Sequence, residues 1–141
     1  MTTKNTTIKI SNDISIFGIT SNNTIARFLW QLNSSLNIRL TKKNDFSILN
    51  ERTKSEEYFS IFEYNNSGII YKLIPNSGDK SLLIKIQKGI NFYFIINGIT
   101  ELSEIENIKK TIKSIENVIF ITHIDITTLK SLNNLITALR Q

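Results

Sequence analysis

The strongest constraint on this chain is the spacing of its apolar side chains, which repeats every two residues in some stretches and every 3.6 in others. Ile8, Ile10, Ile14, Ile16 and Ile19 come close to alternation, with a break at Ser11 to Asp13, as in a bent strand or two short ones. A first strand is expected to end near Gly18. Ser21 or Asn22 then offers a cap oxygen, and Ile25, Phe28, Leu29, Leu32 and Leu36 share one helical face, closed by Asn37. Ile38-Arg39-Leu40 resumes an extended pattern.

The middle of the chain reads as strands joined by turns. Tyr58 to Tyr64 alternates, Asn65-Asn66-Ser67-Gly68 is turn chemistry, and Ile69 to Ile74 is β-branched and aromatic. Pro75 to Asp79 supplies the next turn, Leu82 to Ile86 the next strand, and Asn91 to Ile96 another, ending at Asn97-Gly98. Four strands in sequence make a meander. The period then lengthens again. Ser103-Glu104-Ile105-Glu106 has the form of a capping box, and Ile105, Ile108, Ile112 and Ile115 line one face of a helix with Lys109, Lys110 and Lys113 toward its end. Val118 to Ile124 suits a strand, and Thr127 or Thr128 caps a last helix carrying Leu129, Leu132, Ile136 and Leu139.

The resulting order is β-α-β-β-β-β-β-α-β-α. It implies an α+β fold, with a mostly antiparallel sheet of about five to seven strands and three helices packed on one face. The other face or an edge of such a sheet is left for a partner. One proline, few glycines and no repeat period mark no linker, so residues 1–141 are read as one domain, with residues 1–7 a frayed N-terminus.

Composition removes whole classes of function. There is no cysteine and a single histidine, which leaves no disulfide framework and no structural zinc site. Met1 to Ser11 lacks the basic start and apolar block of a secretion signal, and the apolar run Phe92 to Ile96 is far below the roughly 20 residues of a membrane span. The expected location is the cytoplasm, and no cofactor or metal is expected.

The formal charge of +5 and pI of about 9.5 are uneven along the chain. Residues 1–50 carry six basic and two acidic side chains, whereas residues 101–141 carry five of each. Arg39, Lys42 and Lys43, with Arg27 on the preceding helix and Lys4 and Lys9 upstream, form the one basic concentration. Phosphate binding uses such clusters, and single-strand binding adds aromatic platforms, for which Tyr58, Phe59, Tyr64, Tyr71, Phe92 and Tyr93 are available. Strand aromatics also fill cores, so the assignment turns on which face they occupy.

Other candidates have plainer explanations. His123 and Asp125 project from one strand face at the spacing of a histidine and its orienting carboxylate, but no nucleophile elbow accompanies them, and a strand end entering solvent explains the pair. Gly78-Asp79-Lys80-Ser81 lacks the upstream glycine and following helix of a phosphate loop and reads as a hairpin turn. Glu51, Glu56, Glu57 and Glu63 sit beside Arg52 and Lys54 and read as a solvated surface. Trp30, flanked by Leu29 and Leu32, reads as core edge.

Two stretches carry a resemblance. Ala26-Arg27-Phe28-Leu29-Trp30-Gln31-Leu32-Asn33 looks like the polar-aromatic helix, and Phe120-Ile121-Thr122-His123-Ile124-Asp125 with Leu129-Lys130-Ser131 looks like the C-terminal strand and helix, of the small bacterial IPExxxVDY family. The naming motif falls on Ile84 to Phe92, where Ile84 matches, Ile90 and Phe92 are near substitutes, and Lys85, Ile86 and Asn91 replace Pro, Glu and Asp. The resemblance implies a full-length single domain and carries over no catalytic residue. The expected function is a non-catalytic cytoplasmic interaction domain with a protein partner. The alternative is an RNA- or DNA-binding domain built on Arg27, Arg39, Lys42 and Lys43.

Overall fold

The computed structural model describes residues 13–78, 82–84, 89–125, 134 and 137. Strand β1, Ile14–Ser21, is apolar on both of its faces, so it can be stable only in the middle of a sheet covered on both sides. The sheet meets that demand. Its elements are β2 (Thr41–Lys42), β5 (Phe62–Asn66), β6 (Ile69–Pro75), β7 (Phe92–Asn97) and β8 (Val118–Ile124), in the order β2-β5-β6-β7-β1-β8. Every pairing is antiparallel. A second, two-stranded sheet consists of β3 (Phe46–Asn50) and β4 (Ser55–Phe59).

Helices α1 (Ile25–Leu36) and α2 (Leu102–Lys113) cover one face of the large sheet. Phe28 and Leu32 of α1 and Ile105 and Ile112 of α2 join Phe17, Ile19, Leu73, Phe94 and Ile96 in one core cluster. Phe28 stacks on Phe92, ring centroids 4.6 Å apart. The opposite face carries a second cluster, in which Ile14, Ile16, Ile74, Tyr93 and Ile95 are covered by Phe46 and Phe59 of the small sheet and by Ile61, Leu83 and Ile84. The expectation of an uncovered face is therefore corrected: the side away from the helices is roofed by a hairpin.

Helix α1 runs as the periodicity predicts, but its cap is Thr24 rather than Ser21 or Asn22. The Thr24 hydroxyl accepts from Arg27 N at 3.2 Å, while Ser21 Oγ serves Asn23 N instead. Asn37 ends the helix in the left-handed conformation, as expected. Helix α2 begins at Leu102 with Glu101 as its cap residue, so Ser103 lies inside the helix and no capping box forms. The described residues contain two helices where three were expected. The third was placed on residues 127–139, which lie outside the described residues except for Asn134 and Thr137, both of them helical.

Between the helices the strand reading needs three corrections. Tyr58 to Tyr64 is two strands, because the chain leaves the small sheet after Phe59 and enters the large one at Phe62. Phe46–Asn50, which the periodicity left unassigned, pairs with β4. Leu82 makes only an isolated bridge with Ser77, and Leu83 and Ile84 are not in a strand; Lys85 and Ile86 lie outside the described residues. The Ser67-Gly68 turn is as expected, with φ of 52° and 88°, the left-handed pair that a two-residue hairpin loop requires.

Asn76 explains why Leu83 and Ile84 are held without strand pairing. Its side chain, wholly buried, accepts from Ile84 N at 2.8 Å and donates to Ile90 O at 2.9 Å. Its main chain accepts from Leu83 N and donates to Asn91 O. One amide thus fastens two loop segments to the end of β6. Asn76→Ala should leave buried groups unsatisfied and cost about 2 to 4 kcal/mol, at the known rate of roughly 1 to 3 per orphaned group. Urea denaturation measures this, and a loss below about 0.5 kcal/mol would contradict the role given to Asn76.

Candidate functional site

The basic residues nominated from the sequence come from two ends of α1. Arg27 sits in the first turn of α1, about 14 Å along the helix from its end at Leu36, which Arg39 follows. Arg27 also faces Glu116 at 3.7 Å. Arg39, Lys42 and Lys43 do stay together, and Asn33 is the reason. Its side-chain oxygen accepts from Leu40 N at 2.9 Å and its nitrogen donates to Leu40 O at 3.2 Å, which folds the segment after α1 back against the helix. Arg39 and Lys43 are exposed there at the β2 edge, while the Lys42 ammonium bonds Asp45 and the Lys43 carbonyl.

The aromatic platforms divide by face. Phe59, Phe92 and Tyr93 are buried in the two cores, and Tyr64 and Tyr71 are half-buried on the helix side. Tyr71 lies between Tyr64 and Phe94, with centroids 6.1 Å from each. Of the six, Tyr58 is the most exposed, at 44%, and its hydroxyl is bonded to Glu56.

Trp30 is the clearest correction. It was read as core edge, yet it is 67% exposed on the outer face of α1, one turn after Arg27. Phe28 and Leu32 take the buried stripe, and Trp30, two positions from each, is carried to the opposite side. Periodicity contained that signal, because 30 does not fall on the 25, 28, 32, 36 series.

His123 lies near the end of β8, exposed, with its ring 4.8 Å from that of Phe17; Asp125 follows the strand, also exposed. Gly78 does not prepare a phosphate loop. It lies against the small sheet, where a Cβ would come within 2.4 Å of the Phe59 ring and 2.8 Å of Tyr58 O. Asp79, Lys80 and Ser81 are outside the described residues. The acidic residues separate too: Glu56 accepts from Ser47 Oγ at 2.9 Å on the surface, whereas Glu57 is buried and accepts from Asn50 Nδ2 at 3.0 Å. Among the described residues no group of three metal-ligating side chains comes together.

A group the sequence reading missed is Lys72. It is buried on β6, directly across the ladder from Glu63, on the face roofed by the small sheet. Burial lowers its pKa from the usual 10.5, and the Glu63 charge partly offsets that. No described protein family matches this chain, and no characterised protein is significantly similar to it. No helix among the described residues is long and apolar enough to cross a membrane.

The lowered pKa fixes a sign. Just below pH 10.5 the unfolded chain keeps the Lys72 proton more tightly than the folded one, so stability rises with pH as the folded amine deprotonates. Buried Tyr93 and half-buried Tyr71 act oppositely above pH 10, because their phenols ionise less readily in the folded state. Lys72→Met should therefore flatten the rise on the alkaline side below pH 10 and leave the fall above it. Chemical denaturation at a series of pH values checks this, and an unchanged slope would remove Lys72 as its source.

Proposed function

We propose that this chain is a non-catalytic interaction domain of the cytoplasm, related to the IPExxxVDY family, that works by binding another protein. The observation that supports this reading is the outer face of α1. Trp30 stands 67% exposed there beside Arg27, on a helix whose inner stripe is already spent on the core. Tryptophan and arginine are the residue types that most often dominate binding energy at protein interfaces.

Affinity capture with the wild type and Trp30→Ala in parallel tests the reading. A partner retained by the wild type should lose about 2 kcal/mol, roughly 30-fold in affinity, with the variant. Captured proteins indifferent to the substitution would count against this surface.

The exposed run Arg39, Lys42 and Lys43 favours a second reading, an RNA- or DNA-binding domain. On that reading, mobility shift at low salt detects a complex that weakens steeply as salt is added, and charge reversal at Arg39 and Lys43 abolishes it. Absence of any shift at low salt disposes of it.

A further inference from the structure

Among the described residues strand β8 is the outer strand on one side of the large sheet, with β1 on its inner side. Which of its peptide groups face outward follows from the bonds of β1. Asp13 O accepts from Gly98 N and Ile19 O from Asn91 N, so odd-numbered residues along this stretch turn their peptide groups toward β7. Even-numbered ones therefore turn toward β8. Ile16 pairs with Ile124, Gly18 with Thr122 and Thr20 with Phe120, which commits the even residues of β8 to β1. Ile121 and His123 present their N–H and C=O groups outward.

The start of β8 is shaped differently. The register slips between Thr20 and Ser21, so that Ile119 is an extra residue on β8, a bulge. Ile119 and Phe120 are 61% and 55% exposed, two bulky apolar side chains in succession at a sheet edge. From Val118 to Ile124 the strand holds no Lys, Arg, Asp, Glu or Pro, the residues that usually blunt an edge. The opposite edge has such protection, since β2 is two residues long and flanked by Arg39 and Lys43.

We propose that β8 pairs antiparallel with β8 of a second copy of this chain, about a two-fold axis through Thr122. This rests on the reading that the chain works by binding proteins, and names one such partner. The register follows from matching the outward groups: Ile121 of each copy lies opposite His123 of the other and exchanges both main-chain bonds with it. Thr122 then faces its own counterpart, a favourable cross-strand pair, and exposed Phe120 lies opposite Ile124. Asp125 falls opposite Ile119, so no like charges meet within the paired strands. A two-fold pairing closes on itself and uses each β8 edge once, which leaves the guarded β2 edges outermost. The contact is small, at the lower end of specific interfaces, so association depends on concentration.

Sedimentation equilibrium of the purified chain from about 10 µM to 1 mM should show the mass rising toward twice the monomer, with Kd on the order of 10 to 100 µM. Phe120→Lys should weaken this at least tenfold, with circular dichroism unchanged. The chain has no cysteine, so Thr122→Cys gives a single thiol that mild oxidation should link between copies, whereas Asn44→Cys near the β2 edge should not link. If Phe120→Lys fails to fold, the cross-link decides. A chain monomeric at 1 mM, a dimer untouched by Phe120→Lys, or preferential linking through position 44 overturns the proposal. Because no other protein is present, its failure is separate from that of the Trp30 surface.

Discussion

Strands β1 and β7 are buried on both faces, and the placing of every other element answers to that. Phe17, Ile19, Phe94 and Ile96 point to one side and Ile14, Ile16, Tyr93 and Ile95 to the other, so two covers are needed. Two amphipathic helices provide the first. The second is assembled from unlike parts: a hairpin, the Ile61 crossover and the Leu83-Ile84 segment that Asn76 holds in place. Apolar burial is non-directional, which is why such different pieces serve equally as a roof.

That asymmetry decides what could be read from the residues alone. Helices announce themselves by a long period, and Ile25 to Leu36 and Leu102 to Lys113 were legible to within a residue or two. Their caps were not, since Ser, Thr and Asn cluster before α1 and several oxygens compete for the same amides. Strands of the large sheet were legible where a β-branched and aromatic run is bounded by turn residues, as with Ile69–Pro75 after Ser67-Gly68 and Phe92–Asn97 before Gly98. The switch between sheets at Ser60-Ile61 left no turn signal, because no Gly, Pro, Asn or Asp marks it. Phe46–Asn50 escaped because only Phe46 is buried, its other side chains being half-buried or exposed.

The surface was harder to read than the core. Linear spacing put Arg27 with Arg39, Lys42 and Lys43, but a helix separates residues near in sequence as readily as it joins them. The buried Lys72 gave no advance sign, since a lysine within Ile69 to Pro75 reads as a solvent-facing position until a second sheet is known to lie over it. Trp30 could have been placed correctly by weighing its angle on the helix above its apolar neighbours.

Trp30 has a practical consequence. It is the only tryptophan in the chain, and it lies in solvent while the protein is folded. Its fluorescence therefore changes little when the core melts, but shifts to the blue when something covers the outer face of α1. The indole is a poor thermometer for this protein and a sensitive dockside lamp.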